Sequence, residues 1–185
     1  MPMLNNSTSH LGAVIWLTGL SASGKTSLAE GLQRRLNLRG YKSYVLDGDD
    51  IRMGLSSDLS FSKDDRKENI RRISEVAKLF ADAGLVCITA SISPYAEDRL
   101  KAKKLILDKK IKFCEIYIST PINICESRDP KGLYLNYRRN QIKEFTGIDA
   151  PYEAPESPDL VIDTSCNSIE VSIDELEDYV LRIFL

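Results

Sequence analysis

The chain has 185 residues, 43% of them hydrophobic, and its 25 basic against 27 acidic side chains leave a net charge of −2. That length fits one domain with a sizeable core, and the charge balance offers no basic field for nucleic acid. Apolar runs stop short of the roughly 20 residues a membrane span needs, and four dispersed cysteines with a single histidine form no zinc pattern.

The opening stretch "MPMLNNSTSHLG" is polar and lacks the charged region and apolar run of a signal peptide. It reads as a disordered arm over 1–12, ahead of one domain over 13–185. "AVIWLT" (Ala13 to Thr18) is short, apolar and rich in β-branched and aromatic residues, as expected of a buried parallel strand. "GLSASGKT" follows and fits G-x-x-x-x-G-K-[ST]. Gly19 and Gly24 let the backbone amides approach an anion, and the helix start behind them adds its dipole. Lys25 can reach β- and γ-phosphates, and the Thr26 hydroxyl can ligate Mg²⁺. The next segment places Leu28, Leu32 and Leu36 on one helical face, with Gly40 as a stop.

"KSYVLDGD" is a second strand that ends in Asp47, Asp49 and Asp50, three carboxylates on the rim of the phosphate loop. One can order a metal's water shell and another can take a proton from an attacking hydroxyl. Arg52 sits on the same side of the helical turn that follows and can clamp an anion. Ser62 or Asp64 caps a long helix ending at Gly84, with Arg66 and Asn69 three apart on one face. Phe61, in the loop before it, either tucks into the core or stacks on a base. "LVCITAS" is a third strand, and it leads to Ser93 in an "ISPY" turn. A charged helix and a fourth strand, "KFCEIYIS", come next. Cys87 and Cys114 lie within strand-like runs, where buried free thiols are common, and reduced thiols point to a cytoplasmic protein.

From about 128 to 157 the chain is irregular and rich in Gly, Pro and Tyr, with Arg128, Lys131, Arg138 and Arg139 as dense positive charge. That composition suits a mobile lid that closes over phosphates. A fifth strand, "DLVIDT", and a last helix from about Ser168 to Phe184 complete a parallel sheet covered on both faces. In such sheets ligands gather at the carboxyl ends of the strands. The residues alone thus give a phosphoryl transferase with a small anionic acceptor, most naturally a nucleotide.

The stretches "GLSASGKT", "LDGDDIRMGL", "FSKDDRKENIRRISEVAKLFADAGLVCIT", "ISPY", "RDPKGLY" and "FTGIDAPYEAP" together resemble the adenylylsulfate (APS) kinases over nearly the whole chain. The resemblance implies a P-loop NTPase-type three-layer α/β sandwich with a five-stranded parallel sheet and a mobile lid. It also implies transfer of the γ-phosphate of Mg·ATP to the 3′-hydroxyl of APS, giving PAPS. Gly19, Ser21, Ala22, Ser23, Gly24, Lys25 and Thr26 then hold ATP, with Thr26 on Mg²⁺. Arg128 and the turn containing Cys166, Asn167, Ser168 and Val171 form the ATP base site. Lys25, Asp49 and Ser93 match catalytic positions, Asp49 as the base. Ser93 has no base of its own and is expected to bind substrate.

Asp49, Asp50, Ile51 and Arg52, with Arg66 and Asn69, resemble contacts to the sulfated nucleotide. Phe61 and Phe145 resemble the pair that sandwiches its adenine, and Ile92, Ser93, Lys131 and Thr146 match other APS-side positions. The resemblance further implies a homodimer and a functional link to an ATP sulfurylase, while the charge balance and the short apolar runs predict no nucleic-acid or membrane partner. The chain departs from the family pattern at Ala22, Ser60, Ser91 (where phenylalanine is common) and Leu135–Asn136–Tyr137. Two other readings stay open: a related kinase for another modified nucleotide, and a nucleotide-binding module without turnover.

Overall fold

Five strands, β1 (Ala13–Gly19), β2 (Ser43–Asp47), β3 (Val86–Ala90), β4 (Lys112–Ile118) and β5 (Leu160–Ile162), pair in the order β2-β3-β1-β4-β5 with every ladder parallel. This computed structural model describes residues 12–184. The expected N-terminal arm, apart from Gly12, lies outside them.

Central β1 is buried along its whole length, and the strand alternation divides its side chains between two cores. Ile15 and Leu17 face α1 (Lys25–Leu38) and α7 (Ile169–Phe184), where Leu28, Leu32 and Leu36 meet Ile173, Leu176 and Val180. Val14 and Trp16 face α3 (Lys63–Asp82) and α4 (Ala96–Leu107), among Ile70, Ile73, Ala102 and Ile106. The result is the expected three-layer α/β sandwich.

Local signals account for most element boundaries. The Ser62 Oγ caps α3 by accepting the Asp65 amide at 3.2 Å, and Gly40 and Gly84 follow α1 and α3 at φ of 85° and 86°. The charged helix α4 nonetheless buries Asp98, Arg99, Ala102 and Ile106. Cys87, Cys114 and Cys125 are buried free thiols, whereas Cys166 is exposed. Burial alone pushes the Cys87 thiol up to about 12, and burial is the main cause of a similar rise at Cys114. Among the described residues no helix is long and apolar enough to cross a membrane.

The stretch read as irregular is in fact partly helical. Within it α6 (Leu133–Arg138) forms, and two further short helices lie before it, α2 (Gly48–Met53) after β2 and α5 (Ile122–Arg128) after β4. The Asp129 carboxylate caps α6 by accepting the amides of Tyr134 at 3.2 Å and Leu135 at 3.0 Å. Tyr134 and Phe145 then bury themselves with Cys125, Leu20 and Ile148 in a third small core. The Gly and Pro density of this stretch hides a helix of fewer than two turns, which that core holds in place.

One buried arginine joins the 128–157 segment to the sheet. Arg99, 3% exposed, donates to Glu115 Oε1, Ser93 O and Glu153 O, each at 2.7 Å. Glu153 N returns a bond to Pro94 O at 2.8 Å. Removing the guanidinium strands a part-buried carboxylate and two carbonyls, and breaking a buried pair from one side costs about 3 kcal/mol or more. Arg99→Met is therefore expected to lose about 3 kcal/mol in urea unfolding with an unchanged m-value. A loss below about 1 kcal/mol would show that the turn after β3 and the 128–157 segment hold together without it.

Candidate active site

The strand ends open on one cavity of about 1340 Å³, and its first wall is the phosphate loop. Gly19 leaves β1 at φ 156°, where a Cβ would lie 2.6 Å from the Ile118 carbonyl oxygen. Gly24 opens α1 at φ 101°. Ala22 is left-handed at φ 60°, which costs an alanine roughly 1 kcal/mol or more. The loop is fastened from behind. Ser23 O accepts the hydroxyls of Thr120 at 3.1 Å and Thr164 at 3.0 Å, and Ser21 O accepts the Tyr134 hydroxyl at 3.1 Å. Ser21, Ala22, Gly24, Lys25 and Thr26 line the cavity, whereas Gly19 and the fully buried Ser23 shape the loop from outside it.

Lys25 folds its ammonium onto Leu20 O at 2.6 Å and Gly19 O at 3.0 Å. Burial pulls it down to about 8, against the opposing pull of Cys125, Asp47 and Asp49. The Thr26 hydroxyl donates to Asp47 Oδ2 at 2.7 Å, and Asp47 Oδ1 accepts the Asp49 amide at 2.8 Å. Asp47 thus caps α2 and is the carboxylate beside Thr26, a pairing that the sequence, with three acids in four positions, leaves ambiguous.

On the second wall Lys131 Nζ is ion-paired to Asp49 Oδ2, so the 128–157 segment reaches across to α2. Asp50 also lines the cavity, but half-buried Ile51 packs on the core beneath α2 instead. Arg52 lies over the Phe61 ring, with Cζ 4.4 Å from the centroid, and donates to Ser60 O at 2.9 Å. Phe61 is 56% exposed, which excludes the tucked-in alternative for this loop aromatic.

Arg66 donates one bond from each of its three nitrogens to a backbone or hydroxyl oxygen, Phe61 O at 2.7 Å, Glu144 O at 2.7 Å and Thr146 Oγ1 at 2.8 Å. It thereby ties both aromatic positions to α3. Phe145 is packed edge-on by Tyr134 at 4.8 Å and stacked by Tyr137 at 5.8 Å. Neither Arg52 nor Arg66 has a carboxylate partner among the described residues, and burial lowers the pKa of both. Ile92 and Ser93 line the wall between. Ser93 is left-handed at φ 41°, and its buried Oγ accepts the Trp16 indole N–H at 3.1 Å.

At the far end Arg128 donates to Thr164 Oγ1 at 2.8 Å and Thr164 O at 2.7 Å, bringing α5 against the turn after β5. Asn167 of that turn lines the cavity, together with Glu30 and Arg34 of α1. Cys166, Ser168 and Val171 do not. Ser168 instead caps α7 through the Val171 amide at 3.3 Å. Glu30 and Arg34 carried no sequence signal, because on an amphipathic helix they read as ordinary solvated charges.

A glycine-rich cradle at the edge of a parallel sheet, facing an aromatic and arginine-lined wall in the same cavity, defines a P-loop phosphotransferase for small molecules. The family model described as "Adenylylsulphate kinase" matches residues 11–163, and the chain belongs to that family. It is 54% identical over 168 residues to an adenylyl-sulfate kinase of Clostridium acetobutylicum, covering 91% of this chain and 82% of that one. It is 51% identical over 170 residues to an adenylyl-sulfate kinase of Staphylococcus carnosus, covering 92% and 84%. Among solved structures, the Mycobacterium tuberculosis APS kinase CysC in complex with AMPPNP and APS is 47% identical, with a TM-score of 0.89 over 92% of this chain and 98% of that chain.

The buried lysine has a consequence for stability. Its folded pKa of about 8 lies below the ordinary 10.5, so between those values the unfolded chain holds a proton that the folded one has released. Folding therefore pays for the charge below pH 8 and regains that stability as pH climbs towards 10.5. The unfolding free energy of the wild type relative to Lys25→Met is expected to rise by about 3 kcal/mol across that window. Paired urea titrations in the absence of nucleotide would check this, and a flat difference would mean that the ammonium is well solvated.

Proposed function

We propose that this chain transfers the γ-phosphate of ATP to the 3′-hydroxyl of adenosine 5′-phosphosulfate, giving the 3′-phosphorylated product. The observation that carries this reading is a pair of guanidinium groups, Arg52 and Arg66, set without carboxylate partners around the exposed Phe61 ring. An anion joined to a flat ring system answers both features. A neutral acceptor would leave the charge unanswered. Membership of the family, and the likeness to an APS kinase solved with AMPPNP and APS, support the same conclusion.

In this reading the phosphate loop receives the triphosphate, and Lys25 moves from the loop carbonyls onto it. Asp49 accepts the proton of the attacking hydroxyl, and Lys131, already on the same carboxylate, places positive charge where the phosphoryl group passes. Ser93, with its hydroxyl committed to Trp16, serves in binding through the turn it shapes. Thr26 Oγ1 and Asp47 are hard oxygen donors that suit Mg²⁺ arriving with the nucleotide, and no cluster of three or more His, Cys, Asp or Glu among the described residues could hold a metal alone. Mg²⁺ bound there would neutralise charge on the β- and γ-phosphates. A homodimer, and an ATP sulfurylase as the source of the acceptor, belong to the same proposal.

The test is ADP release with Mg·ATP and either APS, AMP, adenosine or CDP as acceptor. Turnover is expected with APS and at most weakly with the others. Asp49→Asn is expected to lose about 10²-fold or more in kcat while calorimetry shows APS still bound. Unchanged turnover in that variant would sink the assignment of the base.

A further inference from the structure

The turn after β3 is gripped at three successive carbonyls. Ile92 O accepts the Thr18 hydroxyl at 2.7 Å, Ser93 O accepts Arg99 at 2.7 Å and Pro94 O accepts the Glu153 amide at 2.8 Å. Trp16 and Thr18, two apart on β1, reach the turn from the same face of the sheet, Trp16 at the Ser93 hydroxyl and Thr18 at the Ile92 carbonyl. Such a grip sustains the left-handed Ser93, a conformation that a serine holds only where its surroundings require it.

Thr18 is fully buried and immediately precedes Gly19, where the phosphate loop begins. Its hydroxyl also lies 3.0 Å from the Tyr152 hydroxyl. A threonine hydroxyl has one proton, and a carbonyl oxygen can only accept. That proton therefore goes to Ile92 O, and Tyr152 is the donor to Thr18 Oγ1. The bonds run one way, from Tyr152 in the 128–157 segment, through Thr18 on β1, to the turn after β3. Tyr117 of β4 stacks on the Tyr152 ring at 6.1 Å, and burial raises the pKa of the phenol, so it keeps the proton it donates.

We propose that Thr18 is a positioning residue, whose hydroxyl, oriented by Tyr152, sets the turn after β3 against the phosphate loop and so fixes the acceptor relative to the donor. The proposal rests on the acceptor reading given above, in which Ile92 and Ser93, on the cavity wall, meet APS. Thr18 is not part of that wall, so it acts through the turn alone. One strand thereby carries both sides of the reaction: β1 runs directly into the phosphate loop, and its penultimate side chain holds the facing turn. Phosphoryl transfer depends on such placement, because a shift of about 1 Å between reacting groups can cost up to about 10²-fold in rate.

The experiment measures kcat/KM for APS, KM for ATP and Tm in three variants. Thr18→Val keeps the shape of the side chain and removes the hydroxyl, Thr18→Ser keeps the hydroxyl, and Tyr152→Phe removes only the orienting donor. Thr18→Val is expected to lose about tenfold in kcat/KM for APS with KM for ATP unchanged, and Thr18→Ser to recover most of that loss. Tyr152→Phe is expected to lose about threefold, and to add nothing in the Thr18→Val background, where the chain of bonds is already broken. A Thr18→Val protein with a lowered Tm but wild-type kcat/KM for APS would overturn the proposal, as would a Thr18→Ser protein no better than Thr18→Val. If Thr18→Val does not fold, unchanged kcat/KM for APS in Tyr152→Phe overturns it instead. A wild type that releases no ADP with APS would bring down the acceptor reading itself, which the other failures leave standing.

Discussion

One guanidinium organises the Phe61 end of the cavity. Arg66 is buried on α3, where each nitrogen of its fork is taken by an oxygen from a different place: the loop that carries Phe61, the carbonyl of Glu144 and the hydroxyl of Thr146. A buried charge without a counter-ion is tolerated only when dipoles surround it, and those carbonyls provide them. The arrangement does two things at once. It sets two aromatic residues, far apart in sequence, around one space, and it leaves the positive charge formally unbalanced. Arg52 adds a second such charge. Acidic and basic side chains balance over the cavity lining as a whole, so any preference for an anion is local to these two guanidinium groups beside Phe61.

The opposite wall works by tension. Lys25 is held among carbonyls in a place that disfavours its charge, and Ala22 is held in a backbone conformation that disfavours its side chain. Both costs are sustained because the loop is bolted to Thr120, Thr164 and Tyr134 from behind. An incoming triphosphate relieves the first by pairing the ammonium. The loop therefore has little reorganisation left to undergo on binding.

Much of this is legible in the sequence, for identifiable reasons. A buried parallel strand, a phosphate loop and an amphipathic helix each have a pattern of residue types that the backbone enforces locally, and β1, the loop and α1 follow it. The acids after β2 and the Arg66–Asn69 spacing could likewise be placed on the cavity rim. The division of labour among the acids could not be read, because whether Asp47 or Asp49 meets Thr26 depends on where α2 begins. Nor could the fate of Arg66, whose partners at 144 and 146 are joined to it only by the fold. The helix α6 escaped notice because its stability comes from the Asp129 cap and from Tyr134 burial, neither of which leaves a periodic trace over so short a span.

The cysteines have a practical corollary. Three of the four thiols are walled off, and burial keeps them protonated and sluggish toward electrophiles. Cys166 alone is open to solvent, one residue from Asn167 on the cavity rim. The sequence therefore carries its own attachment point for a single fluorophore or spin label at the Asn167 end of the cavity. Spectroscopy of occupancy at that end becomes accessible with every other side chain left as it is.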